Sequence, residues 1–168
     1  MVVSALAVNT DAEGAPQVIL LDARANGLDQ ADLRACARTQ GPPSASHVAR
    51  SYRHPFGLVA WHSEPVGVDI ERIERFNAAF AESICTPSER VALGRPAAPD
   101  AHIASLWSSK EALAKALGDA LRYDPRRLES PMRWPGGAAG PWRAARLPVP
   151  AGHTAWVCWR STRRQGES

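Results

Sequence analysis

The stretch Phe56-Gly-Leu-Val-Ala-Trp-His-Ser-Glu-Pro-Val-Gly-Val-Asp-Ile-Glu71 decides how this chain folds. Phe56–Trp61 is a short apolar run of strand composition, His62–Pro65 carries turn residues, and Val66–Glu71 alternates, which predicts two strands joined as a hairpin. Alternation places Asp69 and Glu71 on one face of the second strand, with backbone origins roughly 6.6 Å apart. One cation could sit between their carboxylates. Downstream, His102–Ala116 predicts a long helix with Gly118 as its stop and Leu106, Leu113 and Leu117 as its core stripe. Glu111 and Lys115 are four residues apart and share a face of that helix. The fold class is α+β, an antiparallel sheet with a long helix packed over it. That packing would gather three carboxylates and one amine.

Outward from this centre, residues 16–22 read as a buried strand and Leu28–Arg38 as a helix, with a loop at Gly41–Ser44. Phe76–Ile84 reads as a short helix, and Thr86-Pro-Ser-Glu89 has N-cap and first-turn proline chemistry for another through Leu93, broken at Arg95–Pro99. Trp142–Val149 and His153–Trp159 read as two further strands. The polar tail, residues 161–168, reads as mobile.

The 168 residues are 45% hydrophobic and 22% charged, a balance that folds, and the length suits one domain. Three cysteines, Cys36, Cys85 and Cys158, are far apart and form no CxxC pair, which argues against a disulfide framework or structural zinc and for a reducing cytoplasm. The N-terminus has no basic leader, and the longest aliphatic run is Val18–Leu21, so no membrane span is expected. No aromatic row alternates with basic residues, which argues against nucleic-acid binding. Neither a P-loop nor a GxGxxG is present, and the histidines lack metal-ligand spacing.

Of the 20 Lys and Arg residues only two are lysine, Lys110 and Lys115, both within one six-residue stretch of the expected helix. Arginine cannot lose its proton near neutral pH and presents a planar fork, so a site needing a compact charge or a proton acceptor cannot use it instead. Asp69, Glu71 and Glu111 offer hard oxygen ligands of the kind that hold magnesium against substrate phosphates, and the implied chemistry is phosphoryl transfer. Each piece also has a plain reading. Asp69 and Glu71 could be a solvated strand face paired with Arg72 or Arg75, and Glu111–Lys115 could be a helix-stabilising pair worth about 0.2–0.5 kcal/mol.

Val66-Gly-Val-Asp-Ile-Glu71 and Trp107-Ser-Ser-Lys-Glu-Ala-Leu-Ala-Lys115 resemble the two acidic motifs of the 4′-phosphopantetheinyl transferases. Ile73-Glu-Arg-Phe76 and Thr86-Pro-Ser-Glu89 are similar to the small holo-acyl-carrier-protein synthase branch, and the likeness covers residues 51–118. The resemblance implies transfer of the phosphopantetheine arm of coenzyme A to a serine of an acyl or peptidyl carrier protein, in polyketide or nonribosomal peptide biosynthesis. It implies that Asp69, Glu71 and Glu111 hold Mg2+, that Lys115, with Glu111, assists deprotonation of the serine, and that Lys110 contacts phosphate. The surfactin-type branch has Ser-His-Ser before the first motif, and its histidine falls here on Tyr52 of Ser51-Tyr-Arg-His54, which leaves Arg53 or His54 for the coenzyme A phosphates. By the same likeness, residues 1–65 would be a reduced first half of a pseudo-dimer and 66–160 the motif-bearing half. The oligomeric state stays open. The competing reading is a relative that keeps the scaffold and binds a carrier domain or a coenzyme A-like ligand without transfer, or runs another reaction in the same pocket.

Overall fold

The computed structural model describes residues 3–8, 10–93 and 100–162 of the 168. The break expected at Arg95–Pro99 lies outside the described residues, as do residues 163–168 of the expected tail. The described chain runs β1 (Ser4–Ala7), β2 (Gln17–Asp22), α1 (Gln30–Arg38), β3 (His47–Arg53), β4 (Phe56–His62), β5 (Val66–Arg72), α2 (Ala78–Ile84), α3 (Pro87–Leu93), α4 (Asp100–Ala116), β6 (Ala138–Ala139), β7 (Trp142–Leu147) and β8 (His153–Arg160).

The architecture is α+β, with two four-stranded antiparallel sheets ordered β1-β2-β4-β3 and β5-β8-β7-β6. The expected hairpin between β4 and β5 does not form. β4 pairs instead with β3 across the two residues His54 and Pro55, Arg53 standing opposite Phe56, while β5 crosses to β8, Asp69 opposite Trp156. The turn residues at His62–Pro65 carry the chain from one sheet to the other. They do not reverse it within one.

Strand alternation explains the layering. Phe56, Leu58 and Ala60 of β4 meet Val66, Val68 and Ile70 of β5 and Ala155, Val157 and Trp159 of β8 in one core between the sheets. The outer face of the first sheet, with Val59 and Trp61, packs under Leu33 and Ala37 of α1. The outer face of the second, with Ala144 and Cys158, packs under Ala112, Leu113 and Ala116 of α4. The molecule is therefore layered helix, sheet, sheet, helix, which is why Val66 through Glu71 are buried on both faces.

Gly67 sets the distance between α4 and the sheet. A Cβ there would lie 1.9 Å from the Ala112 carbonyl oxygen and 2.6 Å from the Ala116 nitrogen, so only glycine lets the helix backbone rest on β5. At its C-terminal end α4 closes with a Schellman motif. Gly118, at φ +79°, donates to the Lys115 carbonyl and Asp119 donates to the Ala114 carbonyl. Leu106 and Leu113 are buried as expected, but Leu117, one residue before the stop, is 44% exposed. At the other end of the second layer, Thr86 and Glu89 cap α3 reciprocally: the Thr86 hydroxyl accepts from the Glu89 amide at 3.3 Å, and the Glu89 carboxylate accepts from the Thr86 amide at 2.9 Å.

Candidate active site

Gly67, Asp69 and Glu71 share the face of β5 that looks toward α4, because side chains alternate along a strand. Glu111 and Lys115 share the α4 face that looks back. Ser108, on the same face, donates to the Asp69 carbonyl at 3.1 Å and pins helix to strand beside the carboxylates. Asp69, Glu71, Glu111 and Lys115 all line one cleft of about 300 Å³, with Ser51, Tyr52 and Arg53 of β3 as its other wall and Trp107 closing one end.

Each carboxylate has a fixed oxygen. Asp69 Oδ1 accepts from the Ser51 hydroxyl and from Lys115 Nζ, both at 2.9 Å, and Ser51 also accepts from the Ile70 amide at 3.1 Å, which joins the edges of the two sheets. Glu71 Oε2 accepts from Arg53 Nε at 2.7 Å. Glu111 Oε1 accepts from the Tyr123 hydroxyl. The plain reading of a solvated strand face paired with Arg72 or Arg75 does not hold, since Asp69 and Glu71 are buried and their cations are Lys115 and Arg53. Lys115 binds Asp69 and not Glu111, its neighbour along the helix. It donates in addition to the Val68 carbonyl at 2.9 Å and the Arg50 carbonyl at 3.4 Å, so three acceptors match the three N–H donors of an ammonium.

The electrostatics are those of a cleft short of positive charge. Burial, and then the negative charge of Asp69, push the Glu71 carboxyl up to about 7 against the pull of Arg53. Burial likewise raises Glu111, although the Tyr123 hydroxyl opposes the shift. Burial and the Glu111 carboxylate keep the Tyr123 phenol protonated and therefore a donor. Asp69 Oδ2 is buried with no hydrogen-bond partner. A hard divalent cation suits an orphaned carboxylate oxygen beside two carboxyls destabilised as anions. Among the described residues no three His, Cys, Asp or Glu side chains, Asp69, Glu71 and Glu111 included, cluster closely enough to hold a metal ion.

Lys110 is not in the cleft, a correction to the phosphate contact expected of it. One step along a helix turns the side chain by roughly 100°, so Lys110 cannot share the face of Glu111. It is completely buried on the far side, where Nζ donates to Glu89 at 2.5 Å and to the Ile84 and Pro125 carbonyls at 2.6 and 2.8 Å. Arg53 and His54 line a hollow of about 590 Å³ with Phe76, Phe80 and Trp107, which opens from the cleft on one side. His54 is tied through Nε2 to the Leu28 carbonyl at 2.9 Å. Tyr52 faces the protein's own Arg34, whose guanidinium carbon lies 5.2 Å from the ring centroid. On the opposite side Arg50 and Lys115 lead into a second hollow of about 540 Å³, lined further by Gly118–Arg122. No motif or spacing signals Tyr123, which reaches Glu111 only through the turn after Gly118.

A family model for the 4′-phosphopantetheinyl transferase superfamily matches residues 65–145, which include β5 and α4 but not the β3 wall of the cleft. A holo-[acyl-carrier-protein] synthase of Methylobacterium sp. (strain 4-46) is 40% identical over 101 residues, 52% of this chain and 73% of that protein. The chain belongs to the 4′-phosphopantetheinyl transferase superfamily. A second holo-[acyl-carrier-protein] synthase, from Azorhizobium caulinodans, is 47% identical over 49 residues, 29% of this chain and 36% of that protein. As a superfamily member the chain carries its two acidic motifs on the facing surfaces of β5 and α4. No helix among the described residues is long and apolar enough to cross a membrane.

Proposed function

We propose that this protein transfers 4′-phosphopantetheine from coenzyme A to a serine of an acyl or peptidyl carrier protein, with Mg2+ held by Asp69, Glu71 and Glu111. The observation that supports it best is the position of the cleft, three carboxylates and an ammonium between two larger hollows. A group transfer needs two substrates to meet from two sides. The hollow lined by Arg50, Lys115 and Arg122 suits the phosphorylated nucleotide end of the donor, and the aromatic hollow beside Arg53 suits the pantetheine arm and the incoming serine. We place the reaction in the cytoplasm, read residues 1–65 as a reduced first half, and assign the first layer the task of supplying Ser51, Arg53 and Arg50 to the cleft.

The serine oxygen attacks the β-phosphorus of the donor pyrophosphate, its proton passes to a carboxylate, and 3′,5′-ADP leaves. Magnesium bound here supplies charge neutralisation on the pyrophosphate oxygens. Glu111 is the better proton acceptor, because Lys115 has all three N–H groups engaged and no lone pair to offer. Lys115 holds Asp69 in place and sets a positive charge beside the developing one. Arg53 stands at the junction of the cleft and the aromatic hollow, within reach of a donor phosphate. The net charge of +3 suits an acidic carrier by raising encounter rates.

The test is conversion of apo carrier proteins to the holo form, followed by intact mass with coenzyme A and Mg2+. Wild type should add the phosphopantetheine mass to at least one carrier, and Asp69→Ala or Glu111→Ala should abolish it. A folded wild type that modifies none of several carriers would leave the competing reading, binding without transfer. Tyr52 turned onto Arg34 favours that reading.

A further inference from the structure

Glu111 differs from its two partners in how it is held. Asp69 is fixed by the ammonium of Lys115 and Glu71 by the guanidinium of Arg53, whereas among the described ion pairs none involves Glu111. Its donor is a neutral phenol. We infer that Tyr123 is a positioning residue that orients the Glu111 carboxylate for a divalent cation while leaving its negative charge intact. The inference rests on the metal-dependent reading proposed above.

A glutamate has three rotatable side-chain bonds, and a hydrogen bond on one oxygen removes much of that freedom before any ion arrives. A cationic donor at this position would compete with the metal for the same charge. A hydroxyl orients the carboxylate without that competition. The local chain is built to deliver it. Gly118 ends α4, and the amides of Arg122 and Tyr123 both donate to the Asp119 carbonyl, at 2.9 and 3.0 Å. That reversal folds residues 119–123 back along the helix and sets the half-buried Tyr123 against Glu111, twelve positions earlier. Nothing in the spacing of the acidic motifs calls for a tyrosine there. The same turn lines the hollow that holds Arg122.

The experiment measures Mn2+ affinity of the full chain by loss of the free-ion resonance, for wild type, Tyr123→Phe and Arg126→Ala. Phenylalanine keeps the ring and removes only the hydroxyl. Arg126→Ala loosens the same loop by breaking its 3.0 Å pair with Asp124, far from the carboxylates in chemistry. Tyr123→Phe should bind Mn2+ roughly tenfold more weakly, with Arg126→Ala unchanged. In turnover, Tyr123→Phe should raise the Mg2+ concentration needed for half-maximal rate. Equal Mn2+ affinity in wild type and Tyr123→Phe would overturn the inference alone. Equal weakening in both variants would also overturn it, by assigning the effect to loop order. A wild type that binds no Mn2+, with or without coenzyme A, would instead remove the metal-dependent reading on which the inference stands.

Discussion

Replacing Lys110 by methionine should unfold the protein more readily without touching the cleft. Lys110 and Glu89 form an ion pair with side-chain exposures of 0% and 2%, and every N–H of the ammonium has an acceptor. Methionine fills the same volume but leaves the Glu89 carboxylate with two backbone donors, Thr86 at 2.9 Å and Ser130 at 2.8 Å, and no counter-charge. Breaking a buried pair from one side costs about 3–5 kcal/mol, because the surviving charge stays desolvated. In a chain of this size that lowers Tm by roughly 6–20 °C. Adding Glu89→Gln removes the stranded charge, so the double variant should be less destabilised than the sum of the two singles by about 2 kcal/mol or more. The pH dependence has a definite sign. Burial pushes Glu89 up, but Lys110 and the two amides outweigh it and hold the carboxyl below its ordinary value. The contribution of the pair is therefore present at neutral pH and lost as pH falls through that depressed pKa. Thermal melts of the four proteins of the cycle, from pH 4 to pH 8, read all of this. A Lys110→Met protein that melts within about 2 °C of wild type and loses only coenzyme A affinity would refute the burial argument and return Lys110 to the phosphates.

Gly67→Ala forces a methyl into the Ala112 carbonyl, 1.9 Å away, and should cost about 3 kcal/mol or more, together with most of the transferase rate, as α4 lifts off β5; a variant with native Tm and native rate would show that the helix can yield. For Glu71→Gln the sign follows from a folded pKa of about 7 against an ordinary 4.5. The wild-type contribution is full below 4.5 and lost as pH rises through 7, so in metal-free buffer the variant should gain on wild type between pH 5 and pH 8 by about 2–3 kcal/mol. A gap that does not change with pH would contradict it. Lys115→Arg keeps the charge but replaces three convergent donors with a planar fork that cannot serve Asp69, Val68 and Arg50 together. Carrier modification should fall at least about tenfold, and an unchanged rate in the mass assay would argue against it.

Elements whose signal is local were legible before any coordinates. The N-cap and first-turn proline of α3 at Thr86–Glu89, the alternation of β5, the helical period of α4 and the Gly118 stop all depend on residues within a few positions of one another. The misreadings involve choices between distant partners. Val66–Glu71 has the right alternation to pair with β4, its neighbour in sequence, but its apolar side is needed to close the core between the sheets, and its hydrogen bonds go to residues 153–160. β3, with the composition His-Val-Ala-Arg-Ser-Tyr-Arg, reads as polar because it is an edge strand whose residues 50–53 line the cleft. The resemblance, together with the scarcity of lysine, points to Lys110 as a phosphate contact, while the phase of the helix turns it to the buried side.

By itself the sequence determined that Asp69 and Glu71 leave one side of a strand and that Glu111 and Lys115 leave one side of a helix. Backbone periods of two and 3.6 residues allow nothing else. Only the tertiary structure decided that those two sides face each other across the missing side chain of Gly67, that Arg53 and Ser51 arrive from another sheet, and that Tyr123 folds back onto Glu111. The reason is that spacing along a chain sets direction, whereas proximity between segments is set by which apolar faces must be buried together.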